Sequence, residues 1–347
     1  NFSTLIDLLA YNTYITAYNT NMAVNECFLD SATLRENVVS LARNIGYVPR
    51  SARSAMATIN FSVDLGTNDT RILTLKAGQV ALGNQVGGSY IFSIPDDFVA
   101  TTGDNNVAVF DNLNIYEGVY LQKSFQIDYS QPNQRFILPN ANIDTTSIRV
   151  TVTSTTSEIY TLYDNILRVD AESKLFLIQE IEDEHYEILF GDGILGKKPP
   201  SGAIVNVTYI VSNGRAGNDA KNFSFIGILE DDQSLSVTTG ISVLQTKNKA
   251  SMGDDIEEIS SVKYLAPRIY SSQYRAVTAS DYSGIIPFVY PNVESVTAYG
   301  GEELDPPEFG KVFISIKPRN GSFLSQITKD DISRQLKQYS IAGIKPE

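Results

Sequence analysis

The sequence predicts a multidomain α+β protein: a helical hairpin at the N-terminus, β-rich domains in the middle and a split β-α-β-like domain at the C-terminus. Three changes of pattern lead to this prediction. Apolar residues recur every three or four positions at the start of the chain, alternate with polar residues over about 58–222, and return to the helical period near residue 254. At 347 residues, the chain is long enough for two or three domains.

The N-terminal hairpin is predicted over residues 1–57. Its first helix, over 4–29, has apolar residues at the alternating spacing of three and four that is typical of a coiled-coil seam. This spacing leaves open whether the helix faces the core of its own domain or packs on partner helices, and we adopt partner packing as the hypothesis. The partner-facing residues would then be Leu8, Tyr11, Ile15, Tyr18 and Met22.

A second helix is predicted to follow. Thr33 and Glu36 have the spacing of a capping box, which satisfies the free N–H groups at a helix start. Gly46 stands where a left-handed residue ends a helix, and Pro49 prevents the helix from resuming. Cys27, the only cysteine, lies inside the first helical pattern, where we expect it to be a small buried apolar residue.

The middle of the chain is predicted to contain two β domains, over 58–125 and 126–222. Short alternating runs are separated by glycine- and asparagine-rich turns in both regions. The acidic segment 180–187 is predicted to turn a hairpin. Residues 223–253 are polar and are predicted to be a linker.

The last domain, over 254–347, is predicted to be α+β. A helix should begin at Asp254 and end before Pro267, because proline disrupts a helix interior. Thr278 and Asp281 can form a capping box for the next helix. The order helix, strand, strand, helix resembles a split β-α-β sandwich, and we expect its last strand to lie beyond Glu347.

A glycine-rich stretch at 191–196 looks at first like a nucleotide-binding loop. It fits G-x-G-x-x-G, and together with Lys197 it fits a phosphate loop up to the lysine. However, Lys198 occupies the position of the magnesium-binding Ser or Thr, and Pro199 pushes the residue before it out of the α region. Without a helix start, no phosphate cradle forms. We therefore predict a structural turn between strands, built on Gly191, Gly193, Gly196 and Gly202.

Composition narrows the function classes further. The net charge of −13 argues against nucleic-acid and anionic-membrane partners, which require basic surfaces. The apolar runs are shorter than the roughly 20 residues of a membrane span. A single histidine, His185, excludes sites that need two histidines. We expect no catalytic site, no metal and no cofactor, and we expect the chain to be part of something longer.

Three regions carry a family resemblance. They are residues 7–11 with 44–52, residues 190–193 with the glycines that follow, and residues 265–268 with 275–282. In these regions the chain resembles the baseplate J-like proteins of contractile tails, and the three regions follow one another along the chain in the same order as in that family.

This resemblance implies a non-enzymatic scaffold. Such proteins build the wedges of a tail baseplate, join the wedges into a ring around the hub and pass baseplate rearrangement on to the sheath. It implies a homodimer that also binds other wedge proteins, is located in the virion tail baseplate and is assembled in the host cytoplasm. It further implies that the N-terminal helices join a bundle and that the C-terminal domain contacts other copies.

The alternative is a tail-associated, β-rich module that binds or cleaves glycan. Such a module would present an aromatic groove, and the absence of tryptophan argues against it.

Overall fold

The computed structural model describes residues 2–66, 70–85, 88–103, 105–131, 133–163, 169–273, 275–290, 293–318, 324, 326–340 and 343–347. The chain forms two compact units: Asn1–Arg50 with Glu257–Glu347, and Ser51–Ile256. The predicted mixture of helices with a β-rich, multidomain chain is confirmed.

The helices are α1 (Phe2–Asn25), α2 (Arg35–Asn44), α3 (Ile259–Ser272), α4 (Ala279–Val289) and α5 (Gln326–Leu336). The strands are β1 (Met56–Asp64), β2 (Ile72–Leu75), β3 (Gly78–Gln85), β4 (Gly88–Ile94), β5 (Phe98–Thr101), β6 (Val107–Glu117), β7 (Val119–Gln126), β8 (Phe136–Leu138), β9 (Ile143–Thr153), β10 (Ser157–Leu162), β11 (Leu175–Glu180), β12 (Tyr186–Phe190), β13 (Ile204–Val211), β14 (Lys221–Phe225), β15 (Leu229–Glu230), β16 (Gln245–Ser251), β17 (Val293–Gly300), β18 (Lys311–Pro318) and β19 (Lys345–Pro346).

The second unit consists of three sheets. An antiparallel sheet has the order β14-β3-β4-β6-β1-β16, a larger one has the order β7-β13-β9-β10-β11-β12-β8, and a small one has the order β15-β2-β5. Alternate side chains of the strands point inward, as in β6, and form one apolar core beneath each large sheet. Phe61 and Phe110 stack at 4.5 Å between ring centroids in the first core.

The predicted linker over 223–253 is wrong. This region and the residues just before it supply β14, β15 and β16, which pair with β3, β2 and β1. Part of the polar sequence that suggested a linker belongs to β16, an edge strand of its sheet in which Gln245, Lys247, Asn248 and Lys249 are exposed. Lysines on an edge strand discourage pairing with other chains, and the sequence of such a strand therefore resembles a loop.

Glu117 ties the two large sheets of this unit together. It ends β6, is fully buried, and accepts hydrogen bonds from the Ser212 hydroxyl at 2.8 Å and the Asn213 side-chain amide at 2.8 Å. Both donors directly follow β13. Gly217 packs so closely that an added Cβ would lie 2.5 Å from Glu117 Cγ. The carboxylate thus fixes the chain after β13 against the end of β6.

In the first unit, the N-terminal helices and the C-terminal domain belong together. Val38 and Ala42 of α2 and Tyr47 after it share a buried core with Leu265 and Ile269 of α3. The sequence predicted separate domains over 1–57 and 254–347, but this shared core joins them. A separation of more than 200 residues leaves no local signal of that contact.

The remainder of the first unit is a three-stranded sheet with two helices. β17 and β18 pair antiparallel, and β19 joins β18 in parallel. Residues of α4 and α5, including Ile286 and Leu336, pack on the strands in one core. The capping box of α4 is confirmed: Thr278 Oγ1 accepts the Asp281 N–H at 3.2 Å, and the Asp281 carboxylate accepts the Thr278 N–H at 2.9 Å.

Two predicted helix ends are wrong. α3 begins at Ile259 and continues through Pro267 to Ser272. A proline costs about 3 kcal/mol inside a helix. However, α3 buries Val262 and Leu265 before the proline and Ile269 after it, at roughly 1.5–3 kcal/mol for each large side chain. Burial on both sides of the proline therefore outweighs its cost.

The predicted capping box of α2 is also wrong. The N-cap is Leu34, without a side-chain hydrogen bond, and Thr33 instead binds Glu26 through its N–H at 2.8 Å and its hydroxyl at 2.6 Å. Glu26 also accepts from the Asn37 side chain at 2.8 Å. A carboxylate from the end of α1 therefore organises the start of α2. Gly46 has the expected positive φ of 83°.

We expect the connection between α1 and α2 to loosen in acid. The hydrogen bonds from Thr33 and then Asn37 lower the pKa of Glu26 from 4.5 to about 2. Because the folded pKa is the lower one, the stabilisation is complete above pH 4.5 and is lost as the pH falls towards 2. Thermal unfolding from pH 5 to pH 2 should show this loss in the wild type, and Glu26→Gln should reduce the dependence. An equally steep dependence in that variant would contradict the assignment.

Candidate assembly surfaces

Helix α1 carries its apolar side chains on the surface. No described residue of its 24 is buried. Four of the five predicted partner-facing residues are exposed, with Tyr11 at 64%, and Ile15 is half-buried. A helix that packed on the core of its own domain would bury this seam. The structure therefore places the seam where a partner could reach it.

The exposed apolar surface of α1 is wider than the predicted seam. Phe2, Leu5, Leu9 and Tyr14 are exposed as well. Asp7 is the only charged residue in the helix. Thr13, Thr16 and Thr20 turn their hydroxyls back onto the helix, as Thr13 does to the Leu9 carbonyl at 2.9 Å. A helix that is apolar on most sides and nearly uncharged is typical of a helix buried in an assembly.

The glycine-rich turn lies between β12 and β13 and is tightly bonded. Gly193 donates its N–H to the Gly196 carbonyl at 3.0 Å, and Gly196 donates to the Asp170 carbonyl at 3.0 Å. Gly193, Gly196 and Gly202 have positive φ angles of 94°, 89° and 82°, which glycine adopts without strain. Gly191 is required for another reason: a Cβ there would lie 2.3 Å from the Gly196 backbone.

This turn presents two apolar side chains to solvent. The Asp192 carboxylate accepts the N–H groups of Ile194 at 2.8 Å and Leu195 at 2.9 Å, and these bonds lower the pKa of Asp192. Ile194 is 76% exposed and Leu195 is also exposed. The glycines thus shape a turn with a fixed backbone and an apolar tip.

A third surface lies in the C-terminal part of the first unit. A cavity of about 420 Å³ opens between β18 and α5, and its apolar lining is Ile314, Ile316, Leu324, Ile332 and Leu336. β19 pairs with β18 only at Lys311 and Val312. Ile314 of β18 donates its N–H to the Glu347 carbonyl at 2.8 Å, and Pro346 and Glu347 also line the cavity.

The described residues contain little that resembles a reactive centre. No group of three or more His, Cys, Asp or Glu among them could hold a metal ion. Cys27 is exposed, which corrects the expectation that it is buried: it lies just beyond the end of α1, a helix without a buried described residue, and its thiol donates to the Ala23 carbonyl at 3.2 Å. No described helix has the length and hydropathy that crossing a bilayer requires.

Sequence reasoning missed the buried carboxylates of the described residues, which are Glu117, Asp144, Glu187 and Glu257. Glu117 is fully buried and Glu257 is 3% exposed. Nothing in their local sequence distinguishes them from the many acidic residues at the surface, because their partners come from distant parts of the chain.

Comparison with known proteins points to tail baseplates. Residues 278–347 match the family model "Baseplate structural protein gp6, C-terminal domain I", and residues 123–214 match "Bacteriophage baseplate wedge protein gp6, third domain". The chain is 28% identical over 360 residues to baseplate wedge protein gp6 of Enterobacteria phage T4. This alignment covers 99% of the chain and 53% of the relative, so the chain spans about half the length of that protein.

Among solved structures, a chain of the cryo-EM baseplate of the anti-feeding prophage can be superposed with a TM-score of 0.32 and 14% identity. The superposition covers 97% of the present chain and 66% of the baseplate chain. The two domain matches and the T4 relative are all descriptions of baseplate proteins, and they are what this chain is similar to.

Proposed function

We propose that this protein is a structural component of a phage tail baseplate. It forms wedges, joins them into a ring around the hub and transmits baseplate rearrangement to the sheath. It acts as a homodimer together with other wedge proteins, in the virion tail, after assembly in the host cytoplasm. The resemblance to baseplate J-like proteins and the absence of enzymatic activity are part of this proposal.

The observation that carries the proposal is α1, a 24-residue helix with no buried described residue and one charged side chain. A single helix of this length extends about 36 Å. Alone in water it is marginally stable, because most helical stability in proteins comes from packing an apolar face. We therefore infer that α1 is completed by partner helices along Leu8, Tyr11 and Ile15, and along Tyr18 and Met22.

The glycine-rich turn has a structural role in this proposal. Its geometry provides rigidity, through positive φ angles and the close approach of Gly191 to Gly196. The match to the third domain of a wedge protein covers the segment that contains this turn. The two domain matches and the T4 relative favour a scaffold over the alternative of a glycan-binding or glycan-cleaving module.

The mass of the purified chain tests this proposal. We expect light scattering to give the mass of two chains, and a larger complex when a candidate wedge protein is added. A chain that stays monomeric at micromolar concentration and binds none of the wedge proteins of its phage would contradict the proposal. Release of sugar from host surface glycan by the purified chain would support the alternative.

A further inference from the structure

The first unit contains a buried carboxylate at the point where the chain leaves it and returns. The chain passes from the first unit to the second between Arg50 and Ser51, and comes back between Ile256 and Glu257. Glu257 is therefore the first residue of the returning segment, and Arg50 is the last residue of the outgoing one. The side chain of Glu257 has no exposed surface.

Glu257 receives hydrogen bonds from three directions. Its Oε1 accepts the hydroxyl of Tyr47 at 2.7 Å and that of Ser261 at 2.8 Å. Its Oε2 accepts the backbone N–H of Arg50 at 3.0 Å, and its own N–H donates to the Arg50 carbonyl at 3.1 Å. The guanidinium Nε of Arg50 lies 3.6 Å from the same carboxylate. The outgoing and returning segments are thus joined by backbone and side-chain bonds.

The same pair of charges also contacts three helices. Tyr47 follows α2, and Ser261 lies in the first turn of α3, where a negative charge complements the helix dipole. Arg50 donates from Nη1 to the carbonyl of Pro287 at 3.2 Å, near the C-terminus of α4, where a positive charge is favourable. One ion pair, with a buried carboxylate and a partly exposed guanidinium, therefore links the ends of α2, α3 and α4 with both connecting segments.

We propose that Arg50 and Glu257 form a conformational clamp of the first unit. The clamp makes the outgoing and returning segments respond together when α2, α3 or α4 is displaced. The next backbone bonds between the two segments are those between Arg53 and Asp254, at 2.8 and 3.0 Å, and the clamp is therefore the last connection before the segments enter the first unit. This inference deepens the proposed function, on which it rests, by naming residues through which a rearrangement would leave this unit.

Hydrogen exchange on the purified full chain tests the clamp. In Glu257→Gln the side chain is nearly unchanged in size, but the charge that pairs with Arg50 is lost. We expect the amides of Arg50 and Glu257 to exchange about tenfold faster or more. Without the ion pair, the two segments can separate locally while the rest of the unit stays folded. Amides in the middle of α3, at Leu265 and Ile269, should keep their protection, since their apolar core is intact. The matched control is Glu258→Gln, which changes the neighbouring exposed glutamate and should leave both regions as in the wild type.

Two outcomes would overturn the clamp: unchanged exchange at residues 50 and 257, or an equal increase throughout α3. If Glu257→Gln does not fold, Tyr47→Phe removes one bond to the carboxylate and should give the same local pattern with a smaller increase. The measurement uses the chain alone. A failure of dimerisation would contradict the proposed function without changing this exchange pattern, and the two ideas can therefore fail separately.

Discussion

Replacing Tyr11 and Ile15 with lysine together is expected to abolish self-association and wedge assembly while the isolated chain keeps its fold. Tyr11 is exposed and Ile15 is half-buried, so neither supports a core of the chain itself. In an assembled bundle, however, the two ammonium groups would be taken out of water without a partner. Truncating a hot-spot residue near the centre of an interface costs about 2 kcal/mol or more. Two buried charges should therefore weaken association by at least about 100-fold.

The control adds the same charge to the same helix on another face. Thr13 and Thr20 lie seven residues apart at positions opposite the seam, and both are exposed. Thr13→Lys with Thr20→Lys should leave association within a few-fold of the wild type. Light scattering would give the mass, and circular dichroism would report the fold of each variant. Normal assembly of the Tyr11→Lys, Ile15→Lys protein would contradict the proposal that partner helices bind along this seam. Equal loss in both double variants would show that α1 is covered on all sides.

The second large effect is expected at the glycine-rich turn. Gly191→Val should lower the free energy of unfolding by about 3 kcal/mol, as overpacking at a rigid site does. The reason is steric: the new Cβ would start 2.3 Å from the Gly196 carbonyl carbon, which is backbone and cannot rotate away. Gly196 is in turn held by its bond to the Asp170 carbonyl. Denaturant unfolding with a constant m-value would measure the loss.

Gly193 is the comparison for this prediction. Its φ is 94°, but an added Cβ would meet only Lys198 Cβ, at 3.8 Å. Gly193→Val should therefore cost the strain of a left-handed backbone, roughly 1–2 kcal/mol, without the clash. The order of the two losses is the informative result. A larger loss at Gly193 than at Gly191, or none at either, would be inconsistent with the close packing of Gly191 against Gly196.

The glycine-rich turn also illustrates how far local sequence can be interpreted. The two lysines and Pro199 were sufficient to reject a phosphate loop, because the residue before a proline avoids the α conformation. The structure has a turn here and no helix. The sequence contains Ile194 and Leu195, but it does not predict that their apolar side chains are exposed at the tip of the turn.

The sequence by itself determined the features that depend on neighbours along the chain. These are the apolar spacing of α1, the alternation of the strands, the capping box of Thr278 with Asp281, and the left-handed Gly46. Only the tertiary structure decided that α2 packs on α3, that 221–251 supplies strands, and that Glu26 binds Thr33. It also decided that Glu257 is buried against Tyr47 and Arg50, partners 210 and 207 residues away. The physical reason is that burial and pairing depend on proximity in space, whereas caps and periodicity depend on proximity along the chain.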